Sequence, residues 1–435
     1  MGLNRLGSRG NVQIKKESSY GVAITPDVKL RVKSSSLDSK PTLTKDDALI
    51  GQNMDEFDLV TGYVVGGALE FEAFHPNELF MMQGVFSNEA AVSDPTKSYV
   101  IITYNGVSPY ARLTLTTTNL LAELSSNGSS WSADTNFGTA GTLDLSGTTA
   151  DTIVEAVALI AGYTGWDAVY MGVGTEASSN IAAFTATQVK NPTSNCIPLI
   201  LQSAITASTT AKTHNLSRPT TNNLPSFSIL ENRDLGTNKS VSFLGNKVSN
   251  FTLNAEPQLP IKCSFTFVGR QMVVDQNDVS LTTPTISAFK GKCKLVIVDT
   301  SGVIWAVTEV KKLSLQINPN LHDSKTIEDV YISELDYQNY VASFSFDLGN
   351  NATNYPLKPN YDAGTELKAY MFIGCESYAD TTNTIPYSMF FEMPKLYLDN
   401  FSSVLSTRDK LMITGNALLR HDITMKTVDN VTATY

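Results

Sequence analysis

A short stretch near the start of this chain recurs without a gap in its second half. Residues 32–43 align with residues 310–321, and six of the twelve columns are identical. The identical pairs are Val32/Val310, Lys33/Lys311, Ser36/Ser314, Leu37/Leu315, Pro41/Pro319 and Leu43/Leu321. In both places a polar, acid-rich loop follows, and then an alternating apolar and polar stretch at 68–72 or 343–347. Because such internal similarity indicates a duplicated unit, the sequence predicts two related β units in one polypeptide.

Composition favours an all-β fold. The chain has 435 residues, which is long enough for two or three domains with sizeable cores. Charged residues make up only 17% of it, while Thr, Ser, Asn, Val and Phe occur in short alternating stretches that are typical of strands. The net charge of −10 argues against tight binding to nucleic acid through phosphate neutralisation.

The sequence carries no sign of export or of a membrane span. No apolar run approaches the ~20 residues that a membrane helix needs, and residues 1–6 contain no apolar signal core. We therefore expect a protein that is made and folds in a reducing, aqueous compartment. The cysteines form no C-x-x-C pair, so we expect reduced, buried thiols at Cys196, Cys263, Cys293 and Cys375.

The repeat and the changes of composition divide the chain into four parts. We predict an N-terminal arm at 1–27, a first β-sandwich unit at 28–87 plus 223–275, and a second β-sandwich unit at 276–435. Between them, residues 88–222 are rich in Ser, Thr, Asn and Gly and have no counterpart in the second unit. We interpret this stretch as a small inserted β or α+β domain, which is tolerated where it projects outward.

Two helices are predicted among the strands. In the insertion, Thr152 and Glu155 form a possible capping box ahead of an amphipathic helix over 152–161, and residues 203–223 have the composition of a linker. In the first unit, a short helix is expected over 75–84, with Pro76 in its first turn. Strands are expected at 63–65 and 69–74, with Gly66 and Gly67 between them allowing a bulge or a close backbone approach.

Catalytic and cofactor motifs are missing from the sequence. There is no phosphate-binding glycine loop and no Gly-x-Ser-x-Gly nucleophile elbow, and the four histidines are dispersed. We therefore predict a non-enzymatic protein with no catalytic, cofactor-binding or metal site. Trp131, Trp166 and Trp305 could form a platform for sugars, but the expectation is that they are core or domain-contact residues.

Several segments are similar to the tail tube, or major tail, proteins of long-tailed bacteriophages. The segments that carry the resemblance are 10–21, 226–229, 243–253, 264–269 and 312–318, among them the run Phe243-Leu244-Gly245-Asn246-Lys247. The resemblance covers most of 1–85 and 225–435, and the insertion falls outside it.

The resemblance implies a structural subunit of a virion tail tube. In that family a β-sandwich joins its inner sheet to those of its neighbours in a closed barrel, and stacked rings of sixfold or pseudo-sixfold symmetry conduct DNA during genome delivery. Since two units per chain would give six from three chains, we predict a homotrimeric ring. The resemblance further implies tape measure and tail terminator proteins as partners, DNA that passes without specific binding, and assembly in the host bacterial cytoplasm.

Two loops at equivalent points, 44–58 and 322–336, each carry five carboxylates and one lysine. A conduit for a polyanion works better when it repels phosphate than when it binds it. We hypothesise that some of these acids face the lumen or the joint between rings; the alternative is a solvated surface loop. The acids are Asp46, Asp47, Asp55, Glu56, Asp58, Asp323, Glu328, Asp329, Glu334 and Asp336.

Two other classes of protein stay open at this stage. One is a surface or adhesin-like β-sandwich that binds a glycan or a receptor, against which the missing secretion signal argues. The other is a β-rich hydrolase, which lacks its catalytic residues here.

Overall fold

The computed structural model is an all-β protein, with 57% of its residues in strands and 8% in helices. It describes the whole chain apart from residues 1–9, 46–57, 206–209, 219–223, 234–238, 278, 284, 291–292, 325–330, 333, 338–339, 350–353, 355–356, 383, 405–411 and 420–422. Antiparallel pairing predominates throughout, which agrees with the alternating apolar and polar residues along most strands.

The strands are numbered in chain order. Those before the insertion are β1 Asn11–Lys16, β2 Val28–Leu30, β3 Ser34–Ser35, β4 Asp38–Lys45 and β5 Asp58–Phe71. Those between residues 88 and 217 are β6 Asn88–Glu89, β7 Thr96–Tyr104, β8 Tyr110–Leu115, β9 Asn119–Ser125, β10 Ser132–Ala133, β11 Thr142–Asp144, β12 Trp166–Gly172, β13 Phe184–Asn191, β14 Asn195–Cys196, β15 Leu199–Ala204 and β16 Lys212–Ser217.

The remaining strands follow residue 223. The first group is β17 Phe227–Asn232, β18 Ser240–Ala255, β19 Lys262–Gly269 and β20 Gln271–Gln276. The second group is β21 Cys293–Asp299, β22 Ile304–Val307, β23 Val310–Asn318, β24 Leu321–Ser324, β25 Glu334–Tyr337, β26 Val341–Gly349, β27 Leu367–Tyr378, β28 Pro386–Val404, β29 Met412–Leu419 and β30 Thr424–Asp429.

The helices are few and short. A 3-10 helix over Pro76–Met82 runs directly into α1 over Gln83–Phe86, so the predicted stop at Gly84 is wrong and the helical segment ends before Ser87, whose φ is +62°. The helix α2 spans Ile153–Gly162 and begins at the predicted capping box of Thr152 and Glu155. A second 3-10 helix covers Ser178–Asn180, and α3 covers Leu357–Asp362.

One eight-stranded antiparallel sheet runs through both halves of the chain. Its order is β4, β5, β19, β18, β23, β26, β29 and β28. The two expected strands at 63–65 and 69–74 are a single strand, β5, that passes through both glycines. Gly67 has φ +148°, and a Cβ there would lie 2.3 Å from the carbonyl oxygen of Ser36, so the close backbone approach is confirmed.

Two long strands carry the chain from this sheet into two further sheets. The first half of β18 pairs with β17 and β20, and β17 continues through β1 to β2. The first half of β28 pairs with β27 on one side and with β30 on the other. On the first side, β27 pairs with β21, which pairs with β22. On the second side, β30 pairs with β16, which pairs with β6. A single apolar core, with Phe265 and Phe344 among its fully buried aromatic residues, lies between these sheets and the eight-stranded one.

Two segments that were predicted to lack regular structure contain strands. Residues 11–16 of the predicted arm form β1, which lies between β2 and β17. Residues 212–217 of the predicted linker form β16, which pairs with β30 along its full length. In β16 the residues Thr213, His214 and Leu216 are buried, and a run rich in Ser, Thr and Asn gave no sign of this pairing.

Residues 96–204 have a core of their own. A six-stranded sheet and a three-stranded sheet enclose it together with α2. The larger sheet has the order β10, β9, β8, β13 and β14, with β11 also paired to β9, and the smaller has the order β12, β7 and β15. Trp166 and Phe137 lie in this core in contact with each other. The outer face of the three-stranded sheet packs on β21, β27 and β28, where the Tyr99 ring stacks on Phe390 at a centroid distance of 4.0 Å.

Candidate functional site

The strongest candidate surface is the face of the eight-stranded sheet that points away from the core. Along each strand the apolar residues are buried and the alternate residues are small and polar. One row across the sheet runs through Ser34, Glu70, Ser264, Thr252, Gln316 and Ser343, and a second through Lys262, Asn254, Ser314, Ser345, Asn416 and Asn400. This polar face is therefore lined mainly by hydroxyl and amide groups.

The few charges on the polar face are balanced in sign, and several of them are paired. Its acids and lysines are Asp38, Glu70, Glu72, Asp347, Lys33, Lys40, Lys262 and Lys312. Glu72 forms ion pairs with Lys33 at 2.7 Å and Lys262 at 3.2 Å, and hydrogen bonds from these two lysines lower its pKa. Ser34 donates to Glu70, and Thr414 donates to Asp347. Little net charge results on the described part of this face.

Both ends of the eight-stranded sheet are open. Strand β4 pairs with β5 on one side and has no strand partner on the other among the residues that the structure describes. At the opposite end, residues 397–404 of β28 pair only with β29 within the same described part of the chain. Exposed strand edges favour pairing with another chain, so these two edges are candidate contacts between copies.

In the middle of the same sheet, a strand from the first half of the chain pairs directly with a strand from the second half. There β18 and β23 pair antiparallel, with Phe251 opposite Ile317 and Thr252 opposite Gln316. The strands on either side of this junction have matching orders, β4, β5, β19, β18 and then β23, β26, β29, β28.

The correspondence extends beyond this sheet to most of the strands outside the insertion. Seven pairings among β1–β5 and β17–β20 have counterparts, in the same chain order, among β21–β30. The irregularities correspond as well: β18 has a bulge between Val248 and Asn250, and β28 has one between Leu398 and Asn400. Phe251 and Phe401 follow these bulges at the same distance and are both buried.

The two acid-rich loops join the strands of two hairpins. Among the described residues, 58–64 of β5 pair only with β4, because the pairing with β19 ends at Val65. This two-stranded ribbon leaves Leu43, Val60 and Val64 each about half exposed; Leu43 and Val60 are paired on one face, and Val64 is paired with Lys40 on the other. The second hairpin ends in β24 and β25, and its Tyr331 stacks on Tyr63 of the first at a centroid distance of 5.6 Å.

Four of the ten predicted acids lie in the described part of the chain. Asp58 begins β5 opposite Lys45, and its side chain lies outside the described residues. Asp323 is exposed in β24, Glu334 is exposed in β25, and Asp336 is half-buried opposite His322. The six that lie outside the described residues are Asp46, Asp47, Asp55, Glu56, Glu328 and Asp329.

Two of these acids lie close to a buried lysine that joins the two halves of the sheet. Lys247 of β18 is 4% exposed, and its Nζ donates to the main-chain oxygen of Leu335 at 2.8 Å. Burial lowers the pKa of Lys247, and Glu334 and Asp336 partly offset this effect. The contact fixes the backbone of the second hairpin against β18. This contact could not be predicted from local sequence, since the partners are 88 residues apart.

A buried charge cluster lies where the two legs of the insertion meet the main sheets. His214 is fully buried, with Nδ1 2.7 Å from Glu89 Oε1 and Nε2 3.0 Å from Asp429 Oδ1. Burial alone would lower its pKa, but the hydrogen bonds to Asp429 and Glu89 raise it to about 9. The Tyr435 ring stacks on the imidazole at 4.1 Å, and Lys16 Nζ donates to the main-chain oxygen of Tyr435 at 2.6 Å.

The three tryptophans do not form one exposed platform. Trp166 is 3% exposed, and its Nε1 donates to Asp134 at 2.8 Å within the core of the insertion. Trp305 packs against the main core, and the Arg112 guanidinium lies over the Trp131 ring at 4.3 Å.

The described residues form neither a metal-binding cluster nor a membrane-spanning helix. In the part of the chain that the structure describes, no group of three or more His, Cys, Asp or Glu side chains could hold a metal ion. Within the same residues, no helix has the length and apolar character that crossing a bilayer requires.

Comparison with known proteins places the chain in a family. A search of curated proteins gives no match. The family description that matches is "phage tail tube protein", over residues 7–388, which is most of the 435-residue chain and includes the insertion. The chain therefore belongs to the phage tail tube protein family and is a structural, self-assembling component of a virion tail.

Proposed function

We propose that three copies of this chain form a ring by pairing β28 of one copy with β4 of the next. Each copy contributes eight strands, so the ring is a closed 24-stranded barrel with pseudo-sixfold symmetry. Rings then stack into a tube that conducts DNA during genome delivery. The observation that carries this proposal is the junction of β18 with β23, which gives a template within one chain for the contact between chains.

The template also predicts the register of that contact. Thr252 lies opposite Gln316 at the internal junction. The equivalent residues, by the matching bulges and the repeat alignment, are Ser402 in β28 and Asp38 in β4. We therefore expect Ser402 opposite Asp38 of the next copy and Ser403 opposite Leu37. Closing the sheet in this way leaves neither edge exposed.

An internal duplication explains why one chain would supply two of six positions. The matching strand order and the matching bulges support it, together with the aligned stretches at 32–43 and 310–321. The proposed units are 28–87 plus 223–275 and 276–435, with β1 added to the first, and residues 88–222 form the outer insertion. In the ring this arrangement places one insertion at every second position.

The polar face would line the lumen of this barrel. Its hydroxyl and amide rows, and its paired charges, provide little attraction for phosphate, so DNA would pass without being held. Net negative charge in the lumen or between rings would then come from the two acid-rich loops. The ribbon with exposed Leu43, Val60 and Val64 would pack on a neighbouring ring, since a two-stranded ribbon alone is marginally stable.

The same proposal includes the partners and the place of assembly. Tape measure and tail terminator proteins would contact the inside and the end of the tube, and assembly would take place in the host bacterial cytoplasm. The role is structural rather than enzymatic.

A disulfide between copies tests the register. We expect Asp38→Cys combined with Ser402→Cys to give covalent trimers after mild oxidation of assembled tubes, because directly opposite residues are within disulfide reach. The matched control is Asp38→Cys with Thr414→Cys. Thr414 pairs with Ser402 from the next strand of the same copy. It would therefore lie two strand spacings, about 10 Å, from Asp38 of the next copy, and this distance is too long for a disulfide bond.

The gel distinguishes the possible arrangements. Covalent trimers for the first pair, with monomers for the control pair and for each single cysteine, support the proposal. Ladders that extend to six chains, or equal linking by the control pair, would overturn it.

A further inference from the structure

Two side chains in the insertion converge on the carboxylate of a third, and these three residues form a trio. Lys97 lies in β7, while Glu176 and Asn180 lie in the turn and the 3-10 helix that follow β12. The Lys97 Nζ is 2.9 Å from Glu176 Oε2, and Asn180 Nδ2 donates to the other oxygen, Oε1, of the same carboxylate. The amine and the amide are therefore held side by side by the two oxygens of one group.

The trio is more enclosed than a surface ion pair. The Lys97 side chain is 14% exposed and that of Glu176 is 8% exposed. In the neighbouring pair of Lys212 with Asp94, the exposures are 24% and 39%. A charged pair in such a place loses part of its hydration, so its two groups interact more strongly with each other than a pair in open solvent.

The backbone around the trio is fixed. The Glu176 carbonyl accepts a hydrogen bond from Ile153 N at the start of α2, at 2.8 Å, and Glu176 N donates to Val173 O. Val173 N in turn donates to the carbonyl of Lys97 itself at 3.4 Å. Both sides of the contact are thus tied to the same turn, which restricts the relative motion of the amine and the amide and favours reaction between them.

We propose that Lys97 and Asn180 become joined by an isopeptide bond, with Glu176 as the proton carrier. Glu176 takes a proton from the Lys97 ammonium, and the free amine attacks Cγ of Asn180. As the new C–N bond forms, the lysine nitrogen gives up a second proton; as the old bond from Cγ to Nδ2 breaks, Glu176 relays both protons to the departing nitrogen and returns to its carboxylate form. The nitrogen leaves as ammonium, so the chain loses the mass of one ammonia, and no oxidant, metal or other reactant is required.

Such a bond would strengthen the insertion where it is joined to the rest of the chain. Lys97 lies in the first long strand after the main sheets, and the same strand carries Tyr99, which stacks on Phe390 of β28. A covalent link from this strand to residue 180 closes a long loop and so restricts the unfolded chain. The outer domain would then keep its fold under the shear that acts on the outside of a tail.

Intact mass spectrometry of the purified, denatured full-length chain tests the proposal. We expect a mass below that of the sequence by one ammonia, and a proteolytic fragment in which the peptide of Lys97 stays attached to that of Asn180. Lys97→Arg, Glu176→Gln and Asn180→Ala should each restore the sequence mass. Lys212→Arg is the matched control, because its ion pair with Asp94 should leave the ammonia loss unchanged.

The wild-type measurement decides the matter without any variant. A wild-type chain with its full sequence mass would overturn the proposal and leave an ion pair only. An ammonia loss that persists in Lys97→Arg, or that maps to another asparagine, would overturn it equally. Circular dichroism spectra of each variant, compared with that of wild type, check that a variant without the isopeptide bond is still folded.

Discussion

His214 makes the stability of the subunit depend on pH. Its pKa is raised from the ordinary 6.5 to about 9, because two carboxylates hold the protonated ring in spite of burial. A raised pKa stabilises the fold fully below pH ~6.5, and this contribution is lost as the pH rises towards ~9. We expect the free energy of unfolding to fall by about 3 kcal/mol over that interval.

Urea unfolding at pH 6 and pH 9.5 measures this effect. His214→Gln should be less stable than wild type at pH 6 and should lack most of the decrease between the two values. Ionisation of Tyr435 should not contribute to the difference between pH 6 and pH 9.5, since burial raises its pKa well above 10. A variant that keeps the full decrease would contradict the assignment to His214.

Glu17 is the second residue whose loss we expect to be severe. It is 6% exposed, and its carboxylate accepts hydrogen bonds from Gly21 N, Ser226 Oγ, Ser228 Oγ and Gly245 N. Glu17→Ala leaves these buried donors without a partner and should reduce the unfolding free energy by about 2–4 kcal/mol. The control Asp362→Ala removes an exposed ion pair and should change it by less than about 0.5 kcal/mol.

Neither residue could have been identified from the sequence. The partners of His214 are 125 and 215 residues away, and the donors to Glu17 include residues more than 200 positions away. Sequence reasoning works on local spacing, so it recorded His214 only as one of four dispersed histidines.

At the scale of elements, the hairpin of β4 and β5 depends on Gly67. Its φ of +148° is strained for any side chain, and a Cβ would meet backbone atoms of Ser36 and Leu37. Gly67→Ala should therefore cost at least about 2 kcal/mol of unfolding free energy. Gly162→Ala at the end of α2, where a Cβ meets nothing within 4 Å, should stay within about 0.5 kcal/mol of wild type. Equal effects of the two changes would contradict this interpretation.

The docking of the insertion depends on aromatic packing. Phe390 is fully buried and stacks on Tyr99 and on Tyr370. Phe390→Ala should lower the unfolding free energy by about 3–5 kcal/mol, and Phe390→Leu by clearly less, because leucine refills part of the space. Val107→Ala, on a fully exposed side chain, serves as the control and should have no measurable effect. An unchanged midpoint for Phe390→Ala in urea would contradict the packing role.

Elements with a local signal were predicted well. The helix α2 begins at Thr152 because its capping box and its apolar face agree with each other. Strand β16 was missed because its stability comes from its pairing with β30, more than 200 residues away, rather than from its own composition. The single strand β5 was divided in two, since adjacent glycines more often mark a break than a crossing point.

At the scale of the whole molecule, the two halves share a topology but differ on their outer sheets. On β21, β27 and β28 the outer face is apolar, and the insertion covers it with Tyr99, Ile101 and Met171. The corresponding positions of β1 and β17 include Gln13 and Ser228, which bond to the chain's own loops. The apolar outer face therefore occurs on the half that the insertion covers.

The repeat at 32–43 and 310–321 could be recognised from the sequence because the hairpin strands retain their side chains. The pairing of β18 with β23 could not, because strand order depends on contacts between segments about 60 residues apart. The polar face is visible in the sequence as Ser, Thr and Asn that alternate with apolar residues, but this alternation is typical of any half-buried strand and does not show which strands are neighbours. Only the register of the sheet shows that these small residues form continuous rows.

The mass of an isolated ring, measured by native mass spectrometry, tests the central claim most directly. A ring closed by edge pairing of duplicated chains should weigh three times the 47.2 kDa subunit. A ring of six chains would contradict the account, because the two halves of one chain would then not fill two of the six positions.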